Sequence, residues 1–227
     1  MAGWFGRGRR RVAGLPDGPL KAYLETEAPS GRTPLAQLPV LAVDMETTGL
    51  DPRSDAILSI GWVPVDGLTI LLGGAGHVLV SGAELGEAGV GQSATIHGLT
   101  DDRLSAGEPL AEAVGQLLRA LRGRVLLAHH AGLETGFLDV ACQHLWGVRP
   151  DVVAIDTMRL QQRIVAPGFD DEPRREDLRL WNARAWFGLP TAAAHDAVHD
   201  ALSAAELYLA QVEQLGLTEA QLRQVRS

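Results

Sequence analysis

The chain has 227 residues, 46% of them hydrophobic, which suits one soluble domain with a sizeable core plus an extension. Its formal net charge of −8 counts against a broad, basic DNA-coating surface but leaves room for a site built from carboxylates. The single cysteine, Cys142, excludes an intrachain disulfide and a zinc ribbon and fits a reducing, cytoplasmic setting.

Residues 1–36 are rich in Gly, Pro and Arg and read as a weakly ordered N-terminal arm with a basic start and a short helix near Leu20–Glu27. The run Arg7 to Arg11 suits nucleic acid, and a solvated tail explains it as well. It is followed by Gly and Pro, so no secretory leader is expected. From Pro39 the pattern turns α/β. Val40 to Val43 is a continuous apolar run, as in a strand buried on both faces. Ala56–Val65, Leu68–Leu72 and His77–Val80 follow as strand segments, separated by Asp66-Gly67 and Gly73-Gly74. The stretch 67–80 is the best candidate for a membrane span, but four glycines, Thr69 and His77 interrupt it, so no membrane association is expected.

Leu110–Leu121 has helical spacing, Arg124–Ala128 returns to strand, and Leu133–Trp146 carries Phe137, Leu138, Ala141 and Leu145 on one helical stripe. Val152–Ile155 reads as a short strand and Thr157–Ile164 as a helix. Asp170–Asp177 reads as a charged loop. Helices are expected at Leu178–Phe187 and Ala197–Leu215, with a last one over Glu219–Val225. The order implies a mixed sheet with helices packed on its faces. Residues 37–215 read as one domain, and 216–227 as a closing helix or tail.

Acidic residues interrupt this apolar pattern. Side chains alternate along a strand, so Asp44 and Glu46 share the face of Val40 and Ala42. Two like charges at the C-terminal end of a buried strand repel, and a divalent cation with oxygen ligands is the usual remedy. The pair alone also reads as a surface turn, since Thr47-Thr48-Gly49 follows. Glu134 lies in line with Leu138, Ala141 and Leu145, which puts it on the inward stripe of its helix. Asp200 is in line with Ala204 and Leu207. His195 lies in the turn before that helix, and its imidazole is suited to general-base work. Helix-end charges serve equally as dipole partners or caps when taken singly.

Several segments together carry a family resemblance. Val43-Asp44-Met45-Glu46-Thr47-Thr48-Gly49-Leu50 resembles a first motif D-x-E-T-T-G, and His97-Gly98-Leu99-Thr100 resembles H-G-[IL]-T. Ala128-His129-His130-Ala131-Gly132-Leu133-Glu134 with Phe137-Leu138 resembles H-N-A-x-F-D-x-x-F-L. Ile155-Asp156-Thr157 resembles a strand ending in D-T, and His195-Asp196-Ala197-Val198-His199-Asp200-Ala201 resembles H-x-A-x-x-D-A. In this order and spacing they resemble the DEDDh (DnaQ-like) exonucleases, the group that includes proofreading subunits, RNase T and oligoribonuclease, over about Val40 to Ala210.

The resemblance implies a ribonuclease-H-like fold, here a mixed five-stranded sheet with helices on both faces. It implies two divalent ions, Mg2+ or Mn2+, held by Asp44, Glu46, Glu134 and Asp200, with Asp44 between them. His195, rather than His199, falls on the general-base position. Thr47, Gly49, Leu50, His97 and His129 match positions that line the terminal-nucleotide pocket. Glu134 stands where the family has aspartate, His130 where it has asparagine, and Leu133 where it has phenylalanine. The implied activity is 3′–5′ hydrolysis of single-stranded or frayed DNA or RNA to 5′-mononucleotides. The implied partners are nucleic acid 3′ ends and, in a proofreading setting, a DNA polymerase subunit. An enzyme directed to RNA ends or short oligoribonucleotides, and an inactive end-binding module, are the alternatives.

Overall fold

The computed structural model of the chain describes residues 12, 14–82, 104–168, 172–191 and 196–227. The apolar run after Pro39 forms the central strand β1 (Pro39–Thr47). It pairs antiparallel with β2 (Ile57–Asp66) and parallel with β5 (Val125–Ala128), which pairs in parallel with β6 (Ala154–Asp156). β3 (Thr69–Ile70) completes the order β3-β2-β1-β5-β6, the mixed sheet expected from the sequence. A sixth short strand, β4 (Gly76–Leu79), pairs with β2 beside Ser59–Trp62.

Alternation along β1 assigns its two faces. Leu41, Val43 and Met45 pack with Leu117 and Leu118 of α2 (Leu110–Leu121) and with Phe137 and Leu138 of α3 (Gly132–Trp146). Val40 and Ala42 pack with Val63, Val65 and, from α6 (Ala197–Gln214), Ala201, Ala205 and Tyr208. Helices therefore cover both faces, and each strand buried on both sides reads as continuously apolar. α4 (Thr157–Val165) follows β6 directly, and α5 (Leu180–Trp186) precedes α6.

The preface to β1 is packed where the structure describes it. α1 (Pro19–Glu25) inserts Leu20 into the core on the α2 side, and Leu35 is fully buried. Residues 1–11, with the basic run, lie outside the described residues. At the other end, the helix expected over Glu219–Val225 is instead a single 3-10 turn, Leu222–Gln224. The backbone there is committed elsewhere. The N–H groups of Leu222 and Arg223 donate to the carbonyls of Thr33 and Gly31, and Ser227 donates to Ala154 at the edge of β6. The segment expected over Leu68–Leu72 shortens to β3 followed by a 3-10 turn, Leu72–Gly74. The charged loop closes with a 3-10 turn, Arg175–Leu178.

One glycine sets the depth of α6. A Cβ on Gly61 would overlap the backbone of Ala197 and Val198, so the first turn of α6 lies directly on β2. That contact brings the start of α6 to the C-terminal end of β1.

Candidate active site

The C-terminal ends of β1, β5 and β6 open on one edge of the sheet, the place where open α/β sheets bind ligands. Asp44 and Glu46 project there on the α6 side of β1, next to a register shift between Glu46 and Thr47. α6 begins at Asp196, whose Oδ1 accepts the N–H groups of Val198 (3.2 Å) and His199 (3.3 Å). The cap places Asp200 in the first turn. One carboxylate oxygen from each of Asp44, Glu46 and Asp200 lies within 4.8 Å of the others.

The electrostatics of this trio are unfavourable without a cation. Burial, followed by the charges of Glu134, Asp200 and Glu46, holds the Asp44 carboxyl well above its usual range. Glu134 is 2% exposed, and its Oε2 has no hydrogen-bond partner among the described residues. Burial pushes it up to about 8, helped by the charge of Asp156 and partly offset by a hydrogen bond from its own backbone N–H. It stands outside the tight trio, yet close enough for its charge to act on Asp44.

The turn before α3 explains how Glu134 gets there. His130 takes a left-handed conformation with φ of 78°, which is uncommon for a residue other than glycine or asparagine. Its N–H donates to Asp156 Oδ1 at 3.0 Å, and the same oxygen caps α4 through the Met158 N–H at 2.9 Å. Asp156 is buried and ties the entry of Glu134's helix to the end of β6. In the sequence this residue stood out only as the end of a short strand. A carboxylate closing an apolar strand, with a helix starting at the next residue, is the signal that finds it.

The remaining sequence candidates separate. Thr47 is buried beside the acids, and its hydroxyl donates to the Gly49 carbonyl at 2.6 Å. Gly49 lies against Asp55, where a Cβ would overlap the carboxylate that accepts from Thr48 Oγ1 (3.2 Å) and the Asp51 N–H (2.9 Å). Leu50 projects outward and is 78% exposed. His129 has both ring nitrogens engaged. Nε2 donates to the Leu178 carbonyl at 2.7 Å, and Nδ1 lies 2.9 Å from Thr157 Oγ1. Burial lowers its pKa, which favours the neutral ring. His199 is exposed, with Nδ1 3.5 Å from Asp196 Oδ1. His97 and His195 lie outside the described residues.

Acidic side chains converging at this edge of a mixed sheet define a nuclease-like architecture, and comparison with known proteins supplies the family. The RNase T exonuclease family model matches residues 41–208. The DNA polymerase III subunit epsilon of Treponema pallidum is 30% identical over 171 residues, covering 75% of each chain. The PolC-type DNA polymerase III of Thermotoga maritima is 27% identical over 183 residues, 79% of this chain but only 12% of that protein. Among solved structures, E. coli exonuclease I in complex with an oligonucleotide superimposes with a TM-score of 0.65 at 16% identity, over 80% of this chain and 42% of that one. Exonuclease X in complex with 5′-overhanging duplex DNA gives 0.60 at 19% identity, over 82% and 98%.

The chain belongs to the DnaQ-like exonuclease family and has its ribonuclease-H-like fold. It is a nuclease. No helix among the described residues is long and apolar enough to cross a membrane.

Proposed function

We propose that this chain is a divalent-metal-dependent exonuclease that removes 5′-mononucleotides from the 3′ end of single-stranded or frayed DNA or RNA, working in the cytoplasm. The observation that carries the reading is the trio Asp44, Glu46 and Asp200, with oxygens within 4.8 Å of one another and a buried fourth carboxylate, Glu134, beside it. This donor set fits Mg2+ or Mn2+, which favour several carboxylate oxygens and offset their mutual repulsion. Bound there, two such ions supply Lewis-acid stabilisation of phosphoryl charge and lower the pKa of water.

The chain's own residues do the rest. His195 accepts the proton of the attacking water. Asp44, Glu46 and Asp200 would hold these ions through their carboxylates. Glu134 is longer by one methylene than the family's aspartate and acts through water from its place outside the trio. Leu50 offers an exposed apolar surface to the terminal base, and Thr47, Gly49 and His97 complete the pocket. His129 contributes by holding Leu178 and Thr157 in place, since both ring nitrogens are engaged. Residues 37–215 form the catalytic domain, preceded by an arm and followed by a tail.

The experiment is digestion of 5′-labelled single-stranded DNA and RNA with Mg2+, Mn2+ or chelator. A ladder of 3′-shortened products that disappears with chelator is expected, and Asp44→Ala abolishes it without loss of fold. Undiminished activity of that variant overturns the reading. Comparing the DNA and RNA arms decides between the general enzyme and one directed to RNA ends. Absence of product with either metal points to an end-binding module. Likeness to the epsilon subunit of a DNA polymerase suggests a polymerase subunit as partner.

A further inference from the structure

Three residues, His129 to Ala131, carry the chain from the end of β5 into α3, and Glu134 follows in the first turn of that helix. So short a connection turns sharply. His130 takes φ of 78° to do it, a conformation that is costly for a side chain with a Cβ and persists only where neighbours hold it. Ala131, at the N-cap position, makes no side-chain cap bond to the first N–H groups of α3. The turn is held from outside, by the residues that end β6 and begin α4. Asp156 Oδ1 accepts the His130 N–H at 3.0 Å, and Thr157 Oγ1 lies 2.9 Å from His129 Nδ1. Asp156 is itself fixed. It stands opposite Ala128 in the β5–β6 register, is buried, and offers the same Oδ1 to the Met158 N–H at 2.9 Å.

Glu134 depends on that turn more than on bonds of its own. Its carboxylate takes its own backbone N–H, and Oε2 has no hydrogen-bond partner among the described residues. The place of the carboxylate therefore follows from where the first turn of α3 begins. Leu133, next to it, donates its N–H to the His130 carbonyl, so a shift of His130 moves the turn that carries Glu134. The charge of Asp156 has little part in this. Its ionic neighbour is Arg159, whose Nε is 4.0 Å from Oδ2 on a side chain that is 67% exposed. What Asp156 gives the turn is an acceptor at a fixed point.

We infer that Asp156 is a positioning residue for Glu134: by accepting the His130 N–H it fixes the left-handed turn into α3, and with it the place of the Glu134 carboxylate beside Asp44, Glu46 and Asp200. The inference rests on the exonuclease reading, in which Glu134 acts on bound metal through water. Misplacing a group at a reacting centre by about 1 Å costs on the order of a hundredfold in rate. Residues that orient metal-site groups from outside typically change metal affinity or activity by about tenfold to a hundredfold.

Two measurements on the full-length chain test it: Mn2+ affinity by calorimetry without substrate, and steady-state hydrolysis of a labelled oligonucleotide with Mg2+. Asp156→Ala removes the acceptor. It is expected to weaken Mn2+ binding about threefold to tenfold and to lower kcat at least about tenfold, with KM within about twofold. Asp156→Asn gives up the charge but keeps an oxygen for both N–H groups, and recovers most of both losses. Asp156→Glu keeps the charge but moves the acceptor by one methylene, and recovers neither. In a Glu134→Gln background, which lacks the carboxylate being placed, Asp156→Ala lowers either quantity by at most about twofold further. If Asp156→Ala does not fold, the asparagine and glutamate changes, alone and with Glu134→Gln, decide the matter. Equal losses in the two backgrounds overturn the inference, and so does an asparagine variant as poor as the alanine one, which assigns the effect to charge. Failure of the exonuclease reading shows separately, as absence of cleavage by the wild-type chain.

Discussion

Replacing Glu134 with glutamine removes a buried carboxylate while keeping its shape. In the folded chain without metal, burial raises this group from an ordinary value of 4.5 to about 8. Between those values the native state holds a proton that the unfolded state has released, so stability falls as pH rises through that window. The contribution grows from about 1 kcal/mol lost at pH 5 to about 3 at pH 7 and about 4 at pH 8. Glutamine does not titrate, so Glu134→Gln gains little at pH 5 and about 3 kcal/mol more at pH 8. For a chain of this length that is a rise in Tm on the order of 5–10 °C. Asp44 is shifted in the same direction and adds a background slope, so the quantity to follow is the variant minus the wild type. Thermal melts in chelator at pH 5 and pH 8 provide it. The same gain at both pH values refutes the burial argument. With Mg2+ present the ranking by activity is reversed, and Glu134→Gln turns over more slowly than wild type.

Three further changes probe the frame around the acids. Gly61→Ala places a methyl against the backbone of Ala197 and Val198. It is expected to cost about 2–3 kcal/mol and to lower turnover by shifting Asp200, and an unchanged urea midpoint would contradict the close approach. His129→Leu breaks the links to Leu178 and Thr157. It leaves a carbonyl without its donor, at a cost of about 2 kcal/mol, read as a lower urea midpoint. Leu50→Ala removes an exposed side chain and leaves Tm within about 1 °C. It raises KM for oligonucleotides about threefold to tenfold, the equivalent of about 1 kcal/mol of apolar contact. An unchanged KM would remove Leu50 from the pocket.

Much of this molecule is legible in order along the chain. Strand alternation put Asp44 and Glu46 on the face of Val40 and Ala42, and the structure has that face turned toward α6. The helical stripe through Glu134, Leu138 and Ala141 is buried as its spacing implies. Both are local rules, set by the two-residue and 3.6-residue periods of the backbone. The closing segment departs from the helix its spacing implies for the complementary reason. Its own spacing suits a helix, but its N–H groups find carbonyls at Gly31, Thr33 and Ala154, far away in sequence.

Arg184 shows the same limit. It follows Leu180 by four residues on α5 and precedes Phe187, the residue that ends that helix, by three, so a charge among apolar neighbours stands in the sequence. Its meaning does not, because the partners that make it intelligible, Pro190, Ser203 and Glu206, meet only when α5 packs on α6. The sequence by itself determined which carboxylates face inward and at which element ends they stand. Only the tertiary structure decided that Asp44, Glu46 and Asp200 meet within 4.8 Å while Glu134 stands just outside. That distance depends on how closely α6 lies on Gly61 and on how Asp156 pins the turn into α3. Both contacts join residues remote in sequence, which no local period encodes.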